Sequence, residues 1–272
     1  MQSYTYEEIK NTEESGMSYW AYFTKYFHRK LIFLFANYIK FTPNQITMIS
    51  FIIGLLSAYS FLKGTWYYLI AGAILFEISF MLDFVDGGIA RLKGLTSKFG
   101  MYLDTVSDFT KFLFITLCLA YGQYFLTNDK SFLFYGNLYL FFQIFFTATT
   151  YVVRFHRPES GMKKNDRYQT KYNILNNKFP SLIRLKRRLD PNNKLALVPN
   201  DSEIFAFLIA PILMNIKLGF VLGSIILFAN EIILVIFMFV TRKKQFKNVI
   251  KKLREGEKGD IIETNYDRDS CL

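Results

Sequence analysis

Asp83, Asp86, Asp104 and Asp108 each lie in or beside an apolar stretch, where an ionised carboxylate costs roughly 3 kcal/mol or more. Their spacing is helical. Asp83 and Asp86 are three residues apart and Asp104 and Asp108 four apart, so each pair shares a helix face. Arg91 and Phe99 mark a turn between the pairs. If the flanking helices pack as an antiparallel hairpin, all four acids reach similar depth and converge. Four carboxylates in one site need protons or cations. Two divalent ions would neutralise them, and an all-oxygen donor set suits Mg²⁺ or Mn²⁺. Such a pair polarises a phosphoryl group for in-line displacement. Gly87 and Ala90 keep the helix surface beside Asp86 free of bulk, and Gly100 does the same on the facing helix. Arg91 offers a forked donor for phosphate.

The elements that must position these acids belong to a membrane. The chain has 272 residues, is 51% hydrophobic and 18% aromatic, and carries a formal net charge of +11. Positive mean hydropathy (+0.17) with a pI of 9.4 implies apolar and basic residues segregated in blocks, as in a polytopic membrane protein. The apolar content excludes disorder for most of the chain. Two cysteines exclude a disulfide framework and a structural zinc site. A helix needs about 20 residues to cross a bilayer. Residues 47–63, 66–86, 110–127, 131–153, 203–216 and 218–240 supply six candidates. The fifth is short and polar at its start, and the third extends back towards Ser97.

Basic residues fix the expected orientation. With six spans, 29 of the 33 Lys and Arg fall on one side, twelve of them in residues 154–200. The other side has Lys63, Lys130 and Lys217, and Lys111 lies within the third helix. Both termini and the aspartates are therefore expected on the cytoplasmic face. After an N-terminal arm (1–16), residues 17–41 mix aromatic and basic side chains as an amphipathic helix lying on the membrane surface does. Thr42 suits an N-cap and Pro43 a first helical turn. The expected fold class is thus an all-α integral membrane protein with six transmembrane helices preceded by a cytoplasmic interfacial helix. The membrane domain runs over 42–240, includes a basic loop at 154–200, and is followed by a basic tail at 241–272.

The stretch DFVDGGIARLKGLTSKFGMYLDTVSD contains Asp83, Asp86, Gly87, Ala90, Arg91, Gly100, Asp104 and Asp108, eight fixed positions over 26 residues. It resembles in full the signature of the CDP-alcohol phosphotransferases. Thr42-Pro43-Asn44, followed by Ile46 and Thr47, resembles the motif that opens that family's first helix. The resemblance covers roughly residues 25–240. It implies two divalent cations, Mg²⁺ or Mn²⁺, held by Asp83, Asp86, Asp104 and Asp108, with Asp108 also the base for the acceptor hydroxyl. It implies that Asn44, Asp86, Gly87, Ala90, Arg91 and Gly100 hold the CDP moiety, and that the chain forms a homodimer. The acceptor oxygen would attack the β-phosphorus and CMP would leave. Many members have Lys directly after the last aspartate, where this chain has Phe109. Most members use CDP-diacylglycerol as donor to an acceptor alcohol, and others use CDP-activated small polyols. Arg154 and Arg157, at the cytoplasmic end of the fourth span, are expected either to hold an acceptor phosphate or to act as positive-inside anchors.

Other residues have plainer readings. His28 and His156 are expected at the interface or in a loop, without ligand spacing around them. Cys118 reads as a small core residue. Glu77 and the Asn230-Glu231 pair are intramembrane polar groups, expected to make helix–helix hydrogen bonds or dimer contacts. Lys111 is one turn beyond Asp108, placed to line the site or to neutralise an acid such as Glu77. No nucleic-acid partner is expected, since membrane lipid accounts for the basic loop. A cation-coupled transporter is the competing class. It would want acids near the membrane midplane, whereas these lie beside a cytoplasmic turn.

Overall fold

The structure, a computed structural model, describes residues 3–11, 19–155 and 199–254. Most of the expected loop at 154–200, including His156 and Arg157, and most of the tail lie outside them. Helices α1 (Tyr6–Asn11) and α2 (Tyr19–Asn37) precede four long helices: α3 (Pro43–Lys63), α4 (Trp66–Leu92), α5 (Lys98–Thr127) and α6 (Ser131–Phe155). A broken run follows, α7 (Pro199–Glu203), a π-helical turn (Ile204–Ile209) and α8 (Ala210–Ile212), before the last helix, α9 (Ile216–Arg254). No strand occurs among the described residues.

Local sequence explains where the helices start. Thr42 caps α3 through a capping box with Gln45, with Pro43 in the first turn. That pairing satisfies orphan amide donors at the helix end. Ser97 caps α5, accepting from the Gly100 amide at 2.9 Å. The third expected span therefore does begin at its polar end, which puts Asp104 and Asp108 on the helix rather than in a loop.

Five helices among the described residues are long and apolar enough to cross a membrane: α3, α4, α5, α6 and the start of α9. Between 17% and 44% of each span's apolar window is buried inside the protein, so much of every span faces outward, as lipid exposure requires. The fifth expected span, 203–216, is replaced by the run 199–212. At 1.5 Å per residue that run rises about 21 Å, short of the roughly 30 Å hydrocarbon core. Its polar start and Pro211 limit the regular helix.

The core runs between α3, α4, α5, α6, the π turn and α9, filled by Phe61, Leu69, Phe76, Leu119, Tyr139, Phe207 and Phe220. Close backbone approach at its outer end fixes how α3 and α5 cross. A Cβ on Gly122 would lie 2.2 Å from the Phe61 carbonyl oxygen and 2.8 Å from that of Leu62. Gln123 Nε2 donates to the Gly64 carbonyl at 2.7 Å beside it. Gly122→Ala must push two backbones apart. It is expected to destabilise the protein by about 1–3 kcal/mol, read as a lower melting temperature in detergent. An unchanged melting temperature would mean that the two helices slide freely there.

Helix α2 lies along α4. Trp20 Nε1 donates to Glu77 Oε1 at 2.9 Å, so Glu77 makes the helix–helix hydrogen bond expected of it. His28 is buried and stacks on Phe84 with centroids 4.7 Å apart. Of the two positions expected for it, the loop is excluded: His28 lies on α2, on the helix face that docks on α4. The opposite face leaves Phe23 (84%), Tyr26 (62%) and Phe27 (53%) exposed. Cys118 is half-buried and packs against the core.

Candidate active site

The α4–α5 hairpin brings the acids together. Asp83 on α4 and Asp104 and Asp108 on α5 each offer a carboxylate oxygen, all within 4.8 Å of one another. The expected convergence therefore holds for three of the four. Asp86 sits three residues past Asp83, about 60° further round the helix, and faces α3 instead. There the Thr47 hydroxyl donates to Asp86 Oδ2, and Asp86 is buried.

The Lys111 ammonium sits against two of the three clustered acids. Lys111 Nζ lies 3.1 Å from Asp83 Oδ1 and 2.8 Å from Asp108 Oδ1. It also donates to the Ser50 hydroxyl at 3.0 Å, and Ser50 in turn pairs with Ser79. Lys111 is 3% exposed, so its charge is usable only because these partners surround it. Gly54 makes room for its stem: a Cβ there would lie 2.7 Å from Lys111 Cδ. Of the two placements open for Lys111, the structure selects the aspartates and not Glu77.

The residues expected around CDP gather at the same end of the hairpin. Gly100 faces Asn44, whose Oδ1 would lie 3.1 Å from an added Cβ. The Arg91 guanidinium folds back over Gly87, with Nη1 3.2 Å from where a Cβ would stand. Ala90 is half-buried next to it. Arg154 belongs to the last turn of α6, but its side chain and Arg157 lie outside the described residues.

The donor set is all carboxylate oxygen, clustered at a spacing one cation can bridge. That fits a hard divalent ion such as Mg²⁺ or Mn²⁺ better than a soft one. The forked donor of Arg91 and the bulk-free surface at Gly87 and Gly100 suit a phosphate approaching the backbone.

The sequence profile of the CDP-alcohol phosphatidyltransferase family matches residues 40–176, half of the chain. The chain belongs to that family. Curated relatives match over shorter stretches. A bifunctional IPC transferase and DIPP synthase of Aquifex aeolicus is 41% identical over 78 residues, 28% of this chain and 17% of that protein. An archaetidylinositol phosphate synthase of Pyrococcus horikoshii is 45% identical over 67 residues, 25% of this chain and 34% of its own length. A second bifunctional IPC transferase and DIPP synthase, from Thermococcus kodakarensis, is 41% identical over 69 residues, 25% of this chain and 15% of that protein. The chain thus spans at most about a third of the length of these relatives.

Beyond Asn44, sequence reasoning missed what α3 contributes to this candidate site. Thr47, Ser50 and Gly54 recur at three- and four-residue steps along an otherwise apolar helix. That stripe of small and hydroxyl residues was the available signal, since it marks one helix face.

Proposed function

We propose that the protein transfers a substituted phosphoryl group from a CDP-alcohol, first among them CDP-diacylglycerol, to the hydroxyl of an acceptor alcohol, releasing CMP. The observation that carries this reading is the three-carboxylate cluster on the family's signature hairpin, beside Arg91 and Gly87. Asp83, Asp104 and Asp108 would hold divalent cations, with Asp86 contributing from its place against Thr47. Bound Mg²⁺ or Mn²⁺, two ions on this reading, would polarise the phosphate and neutralise charge on the leaving group.

The chain's own residues do the rest. Arg91 orients the diphosphate, and Asn44, Asp86, Gly87, Ala90 and Gly100 form the surface on which CDP rests. Asp108 takes the proton from the acceptor hydroxyl as that oxygen bonds to the β-phosphorus. The phosphoanhydride bond breaks, and CMP leaves with the bonding electrons. The name of one relative, the archaetidylinositol phosphate synthase, carries inositol phosphate, which favours a phosphorylated polyol as acceptor, its phosphate held by Arg154 and Arg157.

The reading places the site and both termini on the cytoplasmic side, supported by the distribution of Lys and Arg. It includes a homodimer, six crossings, and α2 lying at the membrane surface. An ion pair supports the sixth crossing. Lys217, at the start of α9, pairs with Asp129 in the α5–α6 turn and holds that carboxyl down to about 2. Helix α6 starts at this end and runs away from it, so the chain must return before residue 217, and the run 199–212 lies on that return.

The test is CMP release by detergent-purified protein, pairing CDP-diacylglycerol and other CDP-alcohols with glycerol phosphate, serine, inositol and inositol phosphate. At least one pair is expected to release CMP. EDTA should abolish that release, and Mg²⁺ or Mn²⁺ should restore it. Turnover that persists in EDTA would overturn the metal assignment.

A further inference from the structure

Between α5 and α6 lies a cavity of about 280 Å³, lined by Asp104 and Asp108, by Gln143, Thr147 and Thr150 of α6, and by Glu203 at the end of α7. Glu203 is 3% exposed. One of its oxygens accepts from Gln143 Nε2 at 2.9 Å. Among the described residues its other oxygen, Oε2, has no hydrogen-bond partner, and neither do Gln143 Oε1 and Thr150 Oγ1. Buried polar atoms are nearly always paired in folded proteins, so three unpaired oxygens on residues lining one cavity point to a ligand that brings donors. The π-helical turn begins directly after Glu203, and such turns collect at functional sites.

We propose that this cavity is the acceptor pocket and that it selects a polyol, whose hydroxyls donate to Glu203 and Gln143 while one hydroxyl is presented to Asp108. The proposal rests on the transfer reading above and adds where its polyol acceptor sits and two residues that recognise it. Size supports it. The cavity lies at the lower end of small-molecule pockets, near 300 Å³, too small for a CDP-lipid and suited to a compact head group. Chemistry supports it as well. From Gln143 to Thr150 is about 10 Å along the helix. Several hydroxyls on one ring can reach acceptors so spread out, whereas a single ammonium satisfies only one cluster. The rings of Phe109 and Phe112 in the same lining offer flat apolar faces to the C–H face of a cyclic polyol.

The test uses the full-length protein with myo-inositol 1-phosphate as probe, followed by calorimetric binding and by CMP release at fixed CDP-diacylglycerol. Glu203→Leu is expected to weaken probe binding and raise the probe's KM by about tenfold or more, because the polyol's hydroxyl donors lose their acceptor. KM for CDP-diacylglycerol should stay within about twofold, since uniform binding of the donor is untouched. Glu203→Gln, which keeps the shape and one acceptor oxygen, should recover most of the loss. Thr147→Phe, which fills the cavity from another side, should abolish probe binding. Unchanged probe affinity in both Glu203→Leu and Thr147→Phe overturns the proposal, as does a wild type that turns over serine or ethanolamine in preference to the polyol. If no acceptor releases CMP, the transfer reading fails, while Glu203-dependent probe binding still establishes a polyol pocket. No probe binding to the wild type overturns the pocket itself.

Discussion

Asp108→Asn is expected to lower CMP release by about 10³-fold or more, because a general base alone contributes roughly 10²–10⁴-fold and the same carboxylate is one of three clustered metal-binding candidates. The change is nearly isosteric, and the amide oxygen it leaves at that position would still face the Lys111 ammonium. The protein should therefore remain folded, with its melting temperature close to that of the wild type. CDP-alcohol binding should also survive, since on the proposed reading Arg91, Gly87 and Asn44 carry it. The combination is diagnostic: a folded, donor-binding protein without turnover. Near-normal CMP release from Asp108→Asn would remove Asp108 from the base role and leave the hairpin as a binding surface only.

Lys111→Met is expected to affect stability more than any other single change in the site. The ammonium is ion-paired with both Asp83 and Asp108. Deleting one partner of a buried ion pair costs about 3–5 kcal/mol, because the remaining charge has no compensation. Metal-free Lys111→Met should consequently melt well below metal-free wild type. Millimolar Mn²⁺ should restore much of the difference, because a divalent ion replaces the missing positive charge, and binding to the folded state alone stabilises it. Mn²⁺ affinity followed by electron paramagnetic resonance should rise in the variant, since the ion no longer competes with the ammonium. Equal melting temperatures without metal would show that the acids need no internal countercharge.

Both expectations turn on residues of different legibility. The aspartates are readable because acids are costly in apolar segments and because their three- and four-residue steps survive any detail of packing. The start of α5 is readable from Ser97, and that of α3 from Thr42 and Pro43, because caps are local chemistry. Partner choice is not readable. Whether Lys111 meets Glu77 or the aspartates depends on how α4 and α5 each pack on α3, which close contacts such as Gly122 against Phe61 set from a distance in sequence. Asp86 illustrates the same limit. Sharing a helix face with Asp83 does not decide whether it turns to α5 or to Thr47 on α3. The fifth span is legible only as a weak apolar stretch. Its π turn arises from tertiary packing around Phe207, and no periodicity announces it. Glu203 and Gln143, far apart in sequence, give no joint signal until α6 and α7 are brought together.

The docking of α2 on α4 has an optical consequence. The chain has only two tryptophans. Trp66 opens α4 and is 45% exposed, while Trp20 donates its indole hydrogen to Glu77, eleven residues further along that helix. The two indoles therefore sit in different surroundings, one bonded to a carboxyl at mid-helix and one at the helix end. Trp66→Phe leaves a protein whose emission reports solely on Trp20. The amino-terminal helix thus carries an intrinsic fluorophore whose wavelength tracks whether it is seated on the bundle or released to lipid, without any added label.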